Sequence, residues 1–310
     1  MPVAPAPAAD LPVTACAWCG ADLPEAAAAR PRRGHGRVHC AACRAATTDP
    51  WPSEATLKDA YEGWYRPAGG RFAGPGDALL RRSRAALARR LARIAPDGPV
   101  LDVGAGDGTL LDALRRLGRD ATGLELVSTR PDIRAADITD LPRDGRYAAI
   151  VFWHSLEHLP RPALALERAA ELLAEKGVLV LAVPNSGSLQ AQLFKDRWLA
   201  LDLPRHLVHL PAEALTSRLE QLGLHITRTS HLRGGQIVFG WLHGLVGTLP
   251  GHPDLYDAIR RPTARRTQIT ARSRAAVLAA ATALTPFAAA AALVEAAARR
   301  GGSIYVEAVR

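Results

Sequence analysis

A short apolar stretch that runs directly into a glycine-rich turn constrains the fold of this chain most strongly. The segment from Val100 to Val103 predicts a buried strand, and glycines follow at positions 104, 106 and 108. Glycine allows a sharp turn and a close approach to a ligand because it has no Cβ. Leucines then recur at helical spacing until Gly118, which predicts a helix that ends there. This order of elements indicates a parallel sheet with a ligand site at the carboxyl end of the strand.

Two acidic residues near this turn indicate the class of ligand. A dinucleotide-binding turn has a third glycine at the position where Thr109 stands in this chain. Asp102, just before the turn, is poorly placed for a pyrophosphate and well placed for a cationic ligand. Glu125 ends the next predicted strand, about 20 residues after the glycines, where an acid suits a ribose diol.

Together these residues resemble the first motif and the following acidic motif of class I S-adenosylmethionine-dependent methyltransferases. The resemblance implies that the methionine and ribose part of the cofactor packs on the glycine turn and that Glu125 binds the ribose hydroxyls. Asp137 resembles the third motif, where it would bond the adenine amino group. The cofactor-binding residues implied in this way are Asp102, Gly104, Ala105, Gly106, Glu125, Asp137, Ile138 and Trp153. The alternative is a glycine-rich turn of another doubly wound protein.

The connection that follows Glu125 is unusually short. Only seven residues separate Glu125 from Ile133, whereas parallel neighbours normally need a crossover of about a dozen or more. Either this crossover is a bare loop, or the third strand lies elsewhere. The second case would remove Asp137 from the cofactor site.

The remaining pattern predicts an α/β fold with a doubly wound, Rossmann-like, seven-stranded methyltransferase sheet. A helix from Pro162 to Lys176 precedes a strand that begins at Gly177, and two late strands begin at His225 and Ser303. The predicted domains are a zinc-ribbon-like module at residues 1–50, a linker at 51–76 and the methyltransferase domain at 77–310. Residues 232–302 form a helical insertion before the last strand.

Two Cys-x-x-Cys pairs with twenty residues between them define the amino-terminal module. Cys16, Cys19, Cys40 and Cys43 can complete a tetrahedral zinc site, which leaves no open position for catalysis. We therefore predict a structural zinc ion. Redox pairs and an RNA-binding ribbon are the alternatives, and His35 or His39 could substitute as ligands.

The candidate catalytic residues are His154, Glu157, His158 and His206. The cofactor's sulfonium is already a good electrophile, so the enzyme mainly aligns the reactants, and a base helps if the acceptor is a hydroxyl. These residues lie in segments that resemble the ubiquinone-biosynthesis O-methyltransferases. That branch has an acid at the position of His154 and a Glu-His pair around a metal, so metal use stays open here. His154 and His158 share one face if a helical turn forms.

The predicted function is methyl transfer from S-adenosylmethionine to an oxygen, nitrogen or carbon atom of a small or lipid-like metabolite. The alternatives are a zinc-ribbon rRNA base methyltransferase, a nucleotide-sugar C-methyltransferase and a non-enzymatic zinc-bearing binding protein. No Asn-Pro-Pro-Tyr-like tetrapeptide follows the fourth strand, which argues against RNA. The net charge of +9 favours anionic partners, so nucleic acid and an anionic membrane surface stay open, as does oligomerisation.

A cytoplasmic location is predicted from the absence of a secretory signal pattern, with membrane association as an alternative. The Ala-rich run from Ala275 to Ala298 is long enough to span a bilayer, but it contains Pro286 and Glu295. A helical lid or an interfacial helix is therefore the favoured interpretation of that run.

Overall fold

The structure, a computed structural model, describes residues 9–24, 34–62, 72, 74–128, 130–232 and 235–310. Parts of the predicted zinc module and of the predicted linker lie outside the described residues. The strands are β1 (Gly36–His39), β2 (Ala46–Asp49), β3 (Val100–Val103), β4 (Ala121–Glu125), β5 (Ile133–Ala135), β6 (Tyr147–Trp153), β7 (Leu173–Pro184), β8 (Val208–His209), β9 (His225–Ser230) and β10 (Ser303–Val309). The helices are α1 (Glu54–Tyr61), α2 (Gly76–Ile94), α3 (Thr109–Arg116), α4 (Pro162–Leu172), α5 (Leu189–Phe194), α6 (Ala212–Gln221), α7 (Gly235–Gly247), α8 (Leu255–Ala258) and α9 (Ala271–Ala297).

The chain divides into two units. One comprises Pro75–Pro184, Ala212–Ser230 and Ile304–Arg310, and is called the sheet unit below. The other comprises Met1–Gly74, Asn185–Pro211 and His231–Ser303, and is called the cysteine unit. Part of the predicted linker is structured. Helix α1 forms within it, and the hydroxyl of Ser53 caps the N-terminus of this helix.

The sheet unit is built on a seven-stranded sheet with the order β5-β4-β3-β6-β7-β10-β9. The pairs β5–β4, β4–β3, β3–β6 and β6–β7 are parallel, and β10 runs antiparallel to β9. Six residues of β6 are buried, as expected for a parallel strand covered on both faces. This architecture confirms the predicted doubly wound α/β fold.

The helix after the glycine turn forms as predicted. Its apolar side chains Leu110, Leu111 and Leu114 are buried and pack with Leu87 and Leu91 of α2 in one core cluster. Gly118 has a φ of 76° just after the helix, the left-handed conformation that ends many helices.

Helix α4 is shorter than predicted. It ends at Leu172, four residues before the predicted Lys176, and β7 starts at Leu173 instead of Gly177. Leu173 pairs with Tyr147 at the start of β6. Strand pairing therefore outweighs the local helix preference at the start of β7.

The short connection after Glu125 is a bare loop. β5 pairs with β4 directly, with Ala135 opposite Glu125, and no helix lies in the described part of residues 126–132. Arg130 stabilises this loop, because its guanidinium binds the carboxylates of Asp112 and Asp132 at 2.9 Å and 2.7 Å. The third strand is thus where the motif predicts it.

The cysteine unit has a small sheet with the order β1-β2-β8 and the helices of the insertion. The insertion is helical, as predicted, and α7 and α9 contribute to one apolar cluster around Ile237 and Ala288. Glu295 anchors α9 and is fully buried. Its carboxylate accepts hydrogen bonds from the side-chain amide of Gln190 at 2.8 Å and from the indole N–H of Trp241 at 2.9 Å.

Candidate functional site

The turn after β3 lies at the carboxyl edge of the sheet. Gly104, Gly106 and Gly108 have φ angles of 79°, 64° and 75°. The backbone N–H groups of Gly104 and Ala105 both donate to the carbonyl oxygen of Leu124, each at 2.9 Å. The turn is therefore tied to the end of β4.

Gly104 shows why a larger residue does not fit at the start of this turn. A Cβ on Gly104 would lie 2.3 Å from the Cβ of Ser155. Ser155 is buried, and its hydroxyl donates to the carbonyl of Val103 at 2.5 Å, so it is held in place. Both the left-handed φ and the steric contact therefore require glycine.

Glu125 stands at the end of β4, and its side chain reaches the glycine turn. The backbone N–H of Gly106 donates to Oε2 of Glu125 at 2.9 Å. This bond holds a half-buried carboxylate at the edge of the sheet where nucleotide-type ligands bind in open α/β folds.

Asp102 lies on β3 with 3% of its surface exposed. Burial raises the pKa of this carboxyl to about 7, against the opposing effect of the Arg84 guanidinium and with smaller contributions from the charges of Glu125 and Asp107. Ionisation of a buried carboxyl is favoured by a nearby positive charge. The site therefore suits a cationic group.

Arg84 is a site residue that the sequence did not single out. It is one of six arginines in α2, and nothing in the pattern distinguishes it from the others. In the structure its guanidinium carbon lies 5.0 Å from the ring centre of Trp153. The same side chain acts electrostatically on Asp102, which brings a positive charge to the edge of the glycine turn.

Asp137 and Ile138 follow β5. Asp137 caps a short 3-10 turn, since its Oδ1 accepts hydrogen bonds from the N–H and the hydroxyl of Thr139, each at 2.8 Å. Ile138 is 1% exposed. The Asp137 side chain thus has a local structural role, and its contact with adenine stays a prediction.

His154, directly after β6, has an unusual backbone. Its φ is 53°, a left-handed conformation that is uncommon for a residue other than glycine. Its Nδ1 lies 3.5 Å from Oε1 of Glu157, whose side chain is 3% exposed. A strained residue next to a buried carboxylate is a typical feature of functional sites.

His158 lies at the end of a 3-10 turn, Leu156–His158. Because His154 lies outside this turn in a left-handed conformation, the spacing of four does not place the two imidazoles on one helical face. The condition for a shared face is therefore not met, and the roles of the two histidines stay predictions.

His206 belongs to the cysteine unit. Its Nδ1 lies 2.9 Å from the carbonyl oxygen of Ala200, and its Nε2 lies 3.7 Å from Oδ2 of Asp202. The neighbouring Arg205 is buried, binds the carboxylate of Asp202 and lies with its guanidinium 5.6 Å from the ring centre of Tyr61.

The four cysteines come together in the cysteine unit. The Sγ atoms of Cys16, Cys19, Cys40 and Cys43 all lie within 4.8 Å of one another. His35 instead lies 3.2 Å from a carboxylate oxygen of Asp10. Four converging thiols are consistent with a structural zinc ion.

The residues at the edge of the sheet unit fit S-adenosylmethionine. The steric limit at Gly104 keeps the turn open for close contact with a ligand. Asp102 suits a positive charge, and Glu125 offers a carboxylate for hydroxyl groups. The donor set therefore agrees with the cofactor implied by the sequence motifs.

Comparison with known proteins agrees with this site. Residues 78–229 match the family model described as a methyltransferase domain. That range contains the glycine turn, both acids and the segment from His154 to His158. This match and the curated relatives support a class I S-adenosylmethionine-dependent methyltransferase, a class whose cofactor is S-adenosylmethionine.

Two curated relatives share the name ubiquinone biosynthesis O-methyltransferase. The protein of Xanthomonas campestris pv. campestris (strain B100) is 33% identical over 111 residues, which cover 30% of this chain and 46% of the relative. That of Xanthomonas axonopodis pv. citri (strain 306) is 29% identical over 163 residues, which cover 45% of this chain and 68% of the relative. The chain thus spans less than half the length of the first relative.

Among solved structures, this chain is similar to a SAM-dependent methyltransferase from Archaeoglobus fulgidus. The identity is 15%, the similarity covers 75% of this chain and 99% of the other, and the TM-score is 0.40. At this level the similarity supports no conclusion about activity.

Proposed function

We propose that this chain transfers the methyl group of S-adenosylmethionine to an oxygen, nitrogen or carbon atom of a small or lipid-like metabolite. The cofactor supplies an electrophilic methyl group, so the protein has mainly to align the acceptor with it. The observation that carries the proposal is the hydrogen bond between the glycine turn and Glu125 at the carboxyl edge of the sheet.

Opposite charges support a specific arrangement at the amino-acid end of the cofactor. Asp102 would hold the ammonium group, and Arg84 would hold the carboxylate. Glu125 would bind the ribose hydroxyls. The remaining cofactor contacts in this proposal are those of Gly104, Ala105, Gly106, Asp137, Ile138 and Trp153.

His154 is the candidate base that its surroundings favour most. The nearby carboxylate of Glu157 would orient the imidazole. A base in this position would accept the proton of an acceptor hydroxyl. His158 and His206 stay candidates for contact with the acceptor.

The names of the curated relatives favour an oxygen acceptor on a lipid-like metabolite. Tritium-labelled methyl groups of S-adenosylmethionine would be followed into lipids, water-soluble metabolites and RNA of an extract from the source organism. We expect label in one of the two metabolite fractions, and none with the Gly104→Val variant. Label in RNA would overturn the choice of acceptor class, and no label with a cofactor-binding wild type would overturn the enzymatic proposal.

His154→Gln and Glu157→Gln test the proposed base. Loss of a general base lowers the rate by about 10²- to 10⁴-fold, so we expect the larger loss for His154→Gln. His225→Gln is the control, because His225 is exposed on the edge strand β9. Equal rates for all three variants would exclude His154 as the base.

We further propose that α9 lies on an anionic membrane surface. It is the described helix that is long and apolar enough to cross a membrane, and only 22% of its most apolar window is buried. Phe287, Leu293 and Val294 are 67%, 64% and 62% exposed. Such a face is rarely left in water.

The charges around α9 support a surface contact over a membrane span. Between residues 257 and 300 every exposed charged side chain is an arginine. The two acids of this region, Asp257 and Glu295, are buried and accept hydrogen bonds from the protein. Because Glu295 packs against protein, the end of α9 is not available to lipid on all sides.

A further inference from the structure

A series of hydrogen bonds in the cysteine unit connects the cysteine module to His206. The backbone N–H of Ala17, inside the first Cys-x-x-Cys pair, donates to the hydroxyl of Thr47 at 3.1 Å. Thr47 lies on β2, which pairs with β8 so that Thr47 stands opposite Val208. The hairpin that carries the second cysteine pair is therefore continuous with the segment that follows His206.

Thr48 makes the closest contacts between these two segments. It is fully buried, and its hydroxyl donates to the carbonyl oxygen of His206 at 2.6 Å. Its backbone N–H donates to the carbonyl of Leu207 at 3.0 Å. The same hydroxyl oxygen lies 3.0 Å from Nε2 of His209.

The proton positions in this cluster follow from the number of donors. A hydroxyl has one proton, and that of Thr48 goes to the His206 carbonyl, which can only accept. The Thr48 oxygen must then accept from Nε2–H of His209. Burial, together with the charge of Arg37, lowers the pKa of His209 well below its ordinary value, so this imidazole is neutral.

The tautomer of His206 is fixed in the same way. Its Nδ1 faces the carbonyl oxygen of Ala200 at 2.9 Å, so Nδ1 carries the proton. Its Nε2 lies 3.7 Å from Oδ2 of Asp202, so the Ala200 carbonyl and the Asp202 carboxylate together orient the ring.

We infer that Thr48 is a positioning residue for His206 and that the metal-bound cysteine module is the scaffold that holds it there. The zinc ion would fix the hairpin, the hairpin fixes Thr48, and Thr48 fixes the backbone of His206 and the ring of His209. The part of this inference that concerns catalysis rests on the proposed function. The positioning itself is independent of methyl transfer.

The test uses the full chain with ¹⁵N-labelled histidine and two-bond ¹H–¹⁵N correlation of the imidazole rings. His206→Gln and His209→Gln assign the signals. In the zinc-loaded wild type we expect a protonated Nδ1 on His206 and a protonated Nε2 on His209. Thr48→Val should leave His209 as a mixture of tautomers and change the His206 signals, whereas Thr48→Ser should restore both.

Thr248→Val is the control, because Thr248 is an exposed residue of the same unit whose hydroxyl donates to the carbonyl oxygen of Leu245, so the histidine signals of this variant should match those of the wild type. A zinc chelator applied to the wild type gives a second measurement that requires no substitution. We expect the chelator to produce the same histidine changes as Thr48→Val. Unchanged histidine signals in a folded Thr48→Val variant, or in the metal-free wild type, would overturn the inference.

Activity separates this inference from the proposed function. If both hold, Thr48→Val lowers kcat on the order of 10- to 100-fold, since small displacements of catalytic groups have effects of that size. Affinity for S-adenosylmethionine should stay unchanged, because the proposed cofactor residues do not include Thr48. A wild type without methyl transfer but with the expected histidine signals would refute the function and leave the positioning intact.

Discussion

The backbone N–H of Gly106 donates a hydrogen bond to Oε2 of Glu125 over 2.9 Å. The two residues meet because β3 and β4 are parallel neighbours, so their carboxyl ends lie at the same edge of the sheet. The bond orients one carboxylate oxygen toward the turn. A ligand bound on the turn would therefore find a preformed acceptor for its hydroxyl groups.

Glu125→Ala is expected to weaken binding of S-adenosylmethionine on the order of 10- to 100-fold. Hydrogen bonds to a charged group contribute about 1.5–3 kcal/mol, and the variant removes the charge and the acceptor. Isothermal titration calorimetry measures the change. Glu175→Ala is the control, since Glu175 is exposed on β7. Equal affinities in the two variants would contradict a role of Glu125 in binding.

Gly104→Ala and Gly118→Ala form a matched pair. Both glycines have left-handed φ angles, of 79° and 76°, but a Cβ on Gly118 would meet nothing within 4 Å. Gly118→Ala should therefore lose only the backbone cost of about 1–2 kcal/mol. Gly104→Ala should lose a further 1–3 kcal/mol or so from overpacking against Ser155.

Urea unfolding measures the free energy of unfolding of each variant. Calorimetry measures the affinity of each variant for S-adenosylmethionine. We expect cofactor affinity to fall in Gly104→Ala and to stay unchanged in Gly118→Ala. Similar losses of stability in the two variants would show that the contact with Ser155 is relieved at little cost.

Asp102 should make stability depend on pH. Its folded-state pKa of about 7 lies above the value of about 3.9 of an unfolded chain. Between these values the folded protein binds more protons than the unfolded one, so this residue lowers the free energy of unfolding progressively as pH rises from about 4 to 7. Asp102→Asn lacks the titration, so its stability relative to the wild type should increase over that range and level off above it.

The same carboxyl should link proton release to cofactor binding. A bound ammonium group favours ionised Asp102. Affinity for S-adenosylmethionine should therefore rise as the pH increases toward the Asp102 pKa of about 7. Calorimetry in buffers of different ionisation enthalpy measures the protons released. A wild type and an Asp102→Asn variant with the same pH dependence would argue against this linkage.

The sequence predicted the parts of this fold and site that depend on local pattern. The glycine turn, the strand that ends at Glu125 and the helix that ends before Gly118 all follow from short-range rules. Arg84 could not be found in this way, since only tertiary packing of α2 selects it among its neighbours. The predicted end of α4 was wrong for a related reason, because pairing between Leu173 and Tyr147 overrides the local helix preference.

The sequence pattern also did not predict the backbone conformation of His154. The spacing of His154 and His158 allows a shared helical face, yet the left-handed φ of His154 removes it from the turn. The contacts of Thr48 with His206 link residues that are 158 positions apart, a separation at which periodicity carries no information.

The cysteine module should contain one zinc ion per chain. Elemental analysis of the purified protein should give about one equivalent, which Cys16→Ser loses because a tetrahedral site needs four ligands. His35→Gln and His39→Gln are the controls for the predicted substitute ligands, and both should keep the metal. Loss of zinc in a histidine variant but not in Cys16→Ser would reassign the site.

The last prediction concerns the exposed face of α9 and its proposed membrane contact. The protein should float with liposomes that contain anionic lipid and remain unbound with neutral ones. Each arginine near an anionic surface contributes about 1 kcal/mol, and salt screens the attraction. Binding should therefore weaken at high salt. Phe287→Asp should weaken it at every salt concentration, because it places a charge on the apolar face.

Arg266→Gln with Arg272→Gln tests the electrostatic part separately, since both side chains are exposed and lie before or at the start of α9. This double variant should bind less at low salt and match the wild type at high salt. Leu79→Asp is the control, because Leu79 is an exposed apolar residue of the sheet unit, at 58%. The protein could fail to bind anionic liposomes and instead sediment as a dimer that Phe287→Asp disrupts. That result would assign the exposed face of α9 to a second copy of the chain. Integration that resists carbonate extraction would instead establish a membrane span, which the buried contacts of Glu295 argue against.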